Sequence, residues 1–98
     1  MSLKERILEK LRSVYDPELR QDVVSLKLVY DLDVDEKNGI VNLKFRPTVE
    51  NCPVGIQLSI AIKKAILSID GVKRVNLKVE NFIWAKEAEE FLKALDKD

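Results

Sequence analysis

The chain lacks histidine altogether and contains a single cysteine, Cys52, among its 98 residues. Without histidine it has no Ser–His or Cys–His catalytic pair and no imidazole ligand for a metal. Its three glycines, at positions 39, 55 and 71, are too few and too far apart for a glycine-rich phosphate-binding loop. These absences exclude the common designs of thiol enzymes and nucleotide-binding enzymes, so we expect a protein that is not an enzyme.

One cysteine permits no disulfide bond within the chain, which suits a reducing compartment, so we expect a cytoplasmic location. The 17 basic and 17 acidic side chains cancel to a net charge of zero, which removes the basic surface typical of a nucleic-acid-binding protein. No apolar run approaches the length of about 20 residues that a membrane span needs, and segment 1–10 lacks the apolar region of a signal peptide. We therefore expect neither nucleic acid nor a membrane as a partner.

The length and the hydrophobic content of 46% indicate one folded domain over residues 1–98. Apolar residues at helical spacing alternate along the chain with segments that change polarity at every residue. The predicted elements are a helix over 3–14 that ends before Pro17, strands over 28–34 and 41–46, a helix over 53–70, a strand over 72–80 and a helix over 84–95. A hairpin turn over 35–39 joins the first two strands, because Asn38-Gly39 is typical of such turns.

All three predicted strands carry polar residues at alternate positions, as where Leu43 precedes Lys44 and Leu77 precedes Lys78. One face of the sheet is therefore expected to face water, with the helices on the other face. The predicted fold class is a two-layer α/β sandwich in the order α-β-β-α-β-α, with a three-stranded mixed sheet and helices on one face. A right-handed crossover through the central helix leaves the third strand beside the first, giving the spatial order 2-1-3.

The central helix has apolar residues on two sides. Its core stripe is predicted as Leu58, Ala61, Ile62, Ala65, Ile66 and Ile69. Ile56, Ile60 and Leu67 fall on the opposite side, next to Lys63. Either the first or last helix of the same chain covers this second side, or a symmetric homodimer buries it and brings two Cys52 thiols closer together.

Cys52 is the one side chain with an obvious reactive option. It directly precedes Pro53, and proline is favoured at the first helical position, so Cys52 is predicted to be the N-cap of the central helix. The helix dipole favours a thiolate there, which is a metal ligand or a nucleophile. The alternative is a small buried residue at a helix start. Because a tetrahedral metal or a cluster needs about four ligands, Cys52 must share it with a second copy, a partner protein or a small thiol.

Polar residues before Cys52 form the second group of candidates. Asp16-Pro17-Glu18 is either a turn in which the carboxylate accepts hydrogen bonds from nearby N–H groups or, if it lies near Cys52, part of a site. Thr48 and Asn51 either cap the loop before Cys52 or donate hydrogen bonds to its sulfur.

The only tryptophan, Trp84, has the same kind of ambiguity. It is predicted to anchor the last helix to the core, and the alternative is a place on a binding surface. The apolar stripe of that helix is predicted as Trp84, Ala88, Phe91, Leu92 and Leu95.

Several segments occur together, in order and at matching spacing, in one known family. They are Asp16-Pro17-Glu18, Asp22-Val23-Val24-Ser25-Leu26, Leu28-Val29, Thr48 four residues before Cys52-Pro53, Asp70-Gly71-Val72 and Trp84. Over residues 3–95 the chain resembles the small iron–sulfur cluster assembly domain found in SufT, in the PaaD protein of phenylacetate degradation and in the eukaryotic cytosolic iron–sulfur targeting complex.

The resemblance implies a non-enzymatic role in maturing iron–sulfur proteins, with Cys52 as the reactive, metal-binding position. It also implies that Asp16, Glu18 and Thr48 belong to the same site. The implied cofactor is a transient iron–sulfur cluster shared with another chain, and the implied partners are iron–sulfur client or carrier proteins. Two alternatives remain open, namely a structural adaptor in which Cys52 is inert and a PaaD-like accessory protein for an oxygenase.

The sequence departs from the family pattern at three positions. Lys27 stands where a glycine usually follows the Ser-Leu pair, Asn51 replaces the usual glycine before Cys-Pro, and Ile83 stands where a proline usually precedes the tryptophan. The first and third of these changes bear on the geometry of the loops around the site.

Overall fold

The computed structural model describes residues 2–51 and 53–95. Its elements, in chain order, are α1 (Leu3–Leu11), β1 (Tyr15–Asp16), β2 (Gln21–Asp22), β3 (Val29–Asp35), β4 (Ile40–Phe45), α2 (Gly55–Leu67), β5 (Arg74–Val79) and α3 (Ala85–Ala94). The predicted α/β class and the predicted order of the long elements are confirmed. The short antiparallel pair β1–β2 was not predicted. No helix within the described ranges is long and apolar enough to cross a membrane.

Helix α1 begins with a reciprocal cap and ends earlier than predicted. The Ser2 hydroxyl accepts a hydrogen bond from the Glu5 backbone N–H, and the Glu5 carboxylate accepts one from the Ser2 N–H. The helix ends at Leu11 rather than at residue 14, because the Val14 carbonyl accepts from the N–H of Val23 at 3.0 Å. This bond draws the chain into the β1–β2 hairpin before the helix can add another turn.

The main sheet has the order β3-β4-β5, with β3 antiparallel and β5 parallel to β4. The predicted order 2-1-3 is therefore wrong, because the third long strand lies beside the second. Strand β4 lies at the centre, and its inward residues, Val41, Leu43 and Phe45, are all buried. Strand β3 suits an edge, since a register shift between Tyr30 and Asp33 interrupts its ladder.

The predicted faces of β4 and β5 are confirmed, whereas Tyr30 of β3 lies opposite Lys44, on the open face, because of the register shift that follows it. Leu43 and Leu77 point into the core, whereas Lys78 is exposed and Lys44 is only partly covered. The inward residues of β4 and β5 pack against all three helices in one core, formed mainly by Ile7, Leu11, Val41, Leu43, Phe45, Leu58, Ile62, Ile66, Val75, Leu77, Val79, Ala88 and Leu92. The helices thus cover one face of the sheet and leave the other to water.

Two helices bury different residues from those predicted. In α2, Ala61 is exposed and Lys63 is buried, because α3 lies over this side and the Lys63 ammonium donates to the Leu92 carbonyl at 2.7 Å. A lysine at the carboxyl end of a neighbouring helix is favoured by the helix dipole. In α3, Phe91 is exposed because the buried stripe follows Ala88 and Leu92 instead.

The second apolar side of α2 is partly covered by the chain itself. Ile56, Ile60 and Leu67 are half-buried and pack against the core. This arrangement agrees with cover from the chain's own helices. The homodimer stays a prediction that a single chain does not test.

A polar network lies on the open face of the sheet. The Tyr30 hydroxyl donates to the Glu80 carboxylate at 2.6 Å, and the Arg46 guanidinium lies 5.3 Å from the centre of the Tyr30 ring. Lys44 contacts Asp31 at 3.3 Å. The hydrogen bond to Glu80, aided by burial, raises the pKa of Tyr30 to about 12.

The Tyr30–Glu80 bond predicts a loss of stability at alkaline pH. The folded protein holds the phenol proton more tightly than the unfolded chain, whose ordinary pKa is 10.0. The stabilisation is therefore complete below that value and is lost as the pH rises towards about 12. In a titration of phenolate absorbance, Glu80→Gln should lower the pKa of Tyr30, whereas Glu87→Gln on α3 should not. An unchanged ionisation in Glu80→Gln would contradict this assignment.

A second prediction concerns Lys27, which adopts a left-handed backbone with a φ of 58°. Such a conformation costs a residue other than glycine about 1–2 kcal/mol in the folded state. Glycine, in turn, increases the conformational freedom of the unfolded chain, which lowers the free energy of unfolding by about 0.4–1 kcal/mol. Lys27→Gly should therefore raise the free energy of unfolding by up to about 1 kcal/mol. Lys37→Gly is the control, because Lys37 is an exposed turn residue without a positive φ. This variant should therefore be less stable than the wild type. Denaturant unfolding of both variants distinguishes strain relief from a general effect of glycine.

Candidate functional site

The candidate site lies at the carboxyl ends of the two parallel strands. Strands β4 and β5 end side by side, with Phe45 opposite Val79, so the segments that follow them leave the sheet at the same edge. We call residues 46–51, which lead from β4 to Cys52, the site loop. In open α/β sheets, ligands bind outside the carboxyl ends of the strands.

The β1–β2 hairpin is organised around a buried carboxylate. Asp16 is 1% exposed, and its Oδ1 atom accepts hydrogen bonds from the backbone N–H groups of Glu18 at 2.8 Å and Leu19 at 3.3 Å. The Asp16 carbonyl accepts from the Arg20 N–H at 2.7 Å. The turn interpretation of Asp16-Pro17-Glu18 is therefore confirmed, because the carboxylate closes the turn that contains it.

The same carboxylate also reaches the site loop. The Thr48 hydroxyl donates to Asp16 Oδ2 at 3.4 Å, a long bond that joins residues 32 positions apart. Of the four predicted site residues, Asp16 and Thr48 are thus brought together, and Glu18 lies in the same turn with its side chain exposed. Cys52 lies outside the described residues, so a shared site that includes its thiol stays a prediction.

Helix α2 begins later than predicted, with Val54 as its N-cap and Gly55 as its first residue. The first helical hydrogen bond runs from the Leu58 N–H to the Val54 carbonyl at 2.8 Å. The prediction that Pro53 starts the helix is therefore wrong, and Cys52, the predicted N-cap, lies outside the described residues. At Gly55 an added Cβ atom would lie 2.7 Å from the Phe82 ring, so only glycine lets the helix start approach this aromatic residue.

Phe82, which the sequence reasoning missed, takes the role predicted for Trp84. Phe82 is buried, whereas the Trp84 side chain is 42% exposed and meets the Phe82 ring edge-on at a centroid distance of 5.6 Å. Trp84 is therefore not the buried anchor. The alternation of β5, which ends at Val79, would place Asn81 rather than Phe82 on the core side. The positive φ of Asn81, 51°, breaks this alternation, so the periodicity of the strand gives no signal for Phe82.

The segment after β5 is tied to the site loop by its backbone. The Ile83 N–H donates to the Glu50 carbonyl at 2.8 Å. The proline that the family pattern places at this position has no N–H and would lack this bond. The departure at Ile83 thus adds one connection between the site loop and the start of α3.

Polar groups surround the site loop without forming a ligand cluster. Among residues 2–51 and 53–95, no group of three or more acidic side chains is placed to hold a metal ion. A groove of about 460 Å³ lies beside the loop, and its polar lining consists of Arg46, Thr48, Glu50 and Asn81. In the adjoining turn, hydrogen bonds from Ser25 hold the pKa of Asp22 below its ordinary value.

The sequence pattern and the fold agree with one protein family. The model of the iron–sulfur cluster assembly protein family matches residues 4–79, a range that contains the β1–β2 hairpin, the site loop and Cys52. The chain belongs to this family.

Individual members and one solved structure support the assignment. A Bacillus subtilis relative named Fe–S protein maturation auxiliary factor YitW is 37% identical over 83 residues, which cover 85% of this chain and 78% of the relative. An uncharacterized protein of Methanocaldococcus jannaschii is 34% identical over 95% of this chain and 97% of its own length. The crystal structure of a domain of unknown function from Bacillus anthracis aligns with a TM-score of 0.71 at 25% identity, over 95% of this chain and 92% of that one.

The position of Asp16 in this family member predicts a structural role for its carboxylate. Asp16→Ala leaves two backbone N–H groups and the Thr48 hydroxyl without their acceptor and should lower the free energy of unfolding by about 2 kcal/mol. Thr48→Val removes one long, partly exposed bond and should cost less than about 1 kcal/mol. Glu18→Ala, in the same turn but exposed, is the control and should change stability by no more than about 0.5 kcal/mol. Equal losses in Asp16→Ala and Glu18→Ala would refute this role.

Proposed function

We propose that this chain is a non-catalytic auxiliary factor in the maturation of iron–sulfur proteins, in which the Cys52 thiolate holds iron or a cluster on its way to an acceptor protein. The observation that carries the proposal is the match of the family model across residues 4–79, with the only cysteine of the chain directly after the site loop. The name of the Bacillus subtilis relative, a maturation auxiliary factor, supports the same function.

The ligand chemistry of the chain makes this a shared site. Thiolate is the ligand that iron–sulfur clusters require, and a cluster takes about four of them. The chain supplies one cysteine and no histidine. The remaining ligands therefore come from a carrier protein, an acceptor protein, a second copy or a small thiol, and the cluster is cargo rather than a resident cofactor.

Asp16 and Thr48 are proposed to shape the site loop rather than to bind the metal. Both carboxylate oxygens of Asp16 already accept hydrogen bonds, and the side chain is buried. Thr48 links this carboxylate to the loop that leads to Cys52. Glu18 has an exposed carboxylate in the same turn, which suits a weak oxygen ligand for iron in transit.

A structural adaptor is the second candidate, because several apolar side chains are exposed around the site loop. In that case the chain docks an acceptor protein and Cys52 is inert. The expected cytoplasmic location agrees with either function and stays a prediction.

The two functions are distinguished by anaerobic purification followed by assays of iron and acid-labile sulfide. We expect Cys52→Ser to lose the bound iron of the wild type and the capacity to load an acceptor apoprotein. A matched control moves the thiol elsewhere: in the double variant Cys52→Ser, Ser13→Cys the chain keeps one cysteine, at an exposed position after α1. This variant should not recover iron binding. Wild-type iron content and acceptor loading in Cys52→Ser would support the adaptor instead.

A further inference from the structure

Most of the exposed large apolar side chains lie near the site loop. Six such residues are found in the part of the chain that the structure describes, with exposed fractions between 42% and 59%. They are Tyr15, Leu19, Val49, Ile83, Trp84 and Phe91. Only Phe91, on α3, is far along the chain from the segments that meet at the site.

Hydrogen bonds link the chain segments that carry four of these exposed residues. Leu19 belongs to the turn closed by Asp16, and Asp16 also binds Thr48, which directly precedes Val49. On the other side of Val49, the Glu50 carbonyl binds the N–H of Ile83. Val49 therefore lies between Thr48, which binds Asp16, and Glu50, which binds Ile83. We call Leu19, Val49, Ile83 and Trp84 the site patch.

The site patch rests on rigid supports. Trp84 packs edge-on against the buried Phe82, and Phe82 packs against Gly55 at the start of α2. Leu19 is fixed by the turn around the buried Asp16 carboxylate. Exposed apolar residues that are carried by adjoining segments, beside polar groups, mark interaction sites more often than singly scattered ones do.

The size of the patch indicates a transient partner. A stable interface buries about 800 Å² on each partner, spread over roughly 20–30 residues. Four partly exposed side chains supply only a small core for such an interface, which suits a brief encounter better than a permanent dimer. One tryptophan with neighbouring aliphatic residues is the composition expected of a few energetically dominant contacts.

We propose that the site patch docks the apolar surface beside the cysteine ligands of an iron–sulfur acceptor protein. This inference rests on the proposed function, because a chain with one cysteine and no histidine needs a partner that brings the other thiolates. Val49 stands three residues before Cys52 in the chain, so a protein seated on the patch meets the loop from which the cargo leaves.

The test measures binding of a reduced apoferredoxin that has cysteine ligands and no tryptophan. Trp84 is the only tryptophan of the chain and lies in the patch, so its fluorescence reports docking, and sedimentation velocity gives an independent measure. Val49→Asp and Ile83→Asp should weaken binding by about tenfold or more. Phe91→Asp is the matched control, because Phe91 and Ile83 are equally exposed at 56%, and it should bind within about twofold of the wild type. Circular dichroism of each variant verifies the fold.

The outcomes separate this proposal from the proposed function. Cys52→Ser should still bind apoferredoxin through the patch while losing iron. If Cys52→Ser loses iron and the two aspartate variants bind like the wild type, the docking surface is wrong and the maturation function stands. If Cys52→Ser keeps its iron and its capacity to load an acceptor while the aspartate variants lose binding, the patch is upheld and the thiol function fails.

Two further results would overturn the docking surface. One is a wild-type protein that does not associate with apoferredoxin by either measurement. The other is a wild-type dimer that Val49→Asp converts to a monomer with no effect on apoferredoxin binding, which would assign the patch to a second copy of the chain.

Discussion

The parallel pairing of β4 with β5 is the constraint on which the rest of this small structure depends. The pairing places Phe45 opposite Val79, and the N–H of Glu80 continues it by donating to the Phe45 carbonyl at 2.8 Å. Because both strands run in one direction, the chain segments that follow them leave the sheet together. The site loop and the segment over residues 80–84 are neighbours for this reason, and the bond between Ile83 and Glu50 holds them there.

A single buried carboxylate adds the third segment to this edge. Burying the polar side chain of Asp16 is unfavourable unless hydrogen bonds replace its water, and two backbone N–H groups and the Thr48 hydroxyl do so. These donors come from two separate segments, the β1–β2 turn and the site loop. The carboxylate therefore stabilises the relative position of both segments and links the buried turn to the site loop.

The arrangement suits a protein that works on another protein. The loop before the only cysteine is fixed from two sides by backbone and side-chain hydrogen bonds, while apolar side chains around it remain exposed. Under the proposed function, a chain with one cysteine needs further cluster ligands from outside, and an exposed apolar surface offers a means to bring them near. The membership of the iron–sulfur cluster assembly family agrees with this division of roles.

Composition and local periodicity predict the class of the fold, the faces of β4 and β5 and the limit of one thiolate, because these depend on residue counts and on neighbouring residues. Long-range packing sets the strand order, since the bulge in β3 depends on contacts between distant segments. It likewise decides that Phe82 rather than Trp84 is buried and that Asp16 meets Thr48. Those outcomes follow from long-range packing at the carboxyl edge of the sheet, which no local pattern encodes.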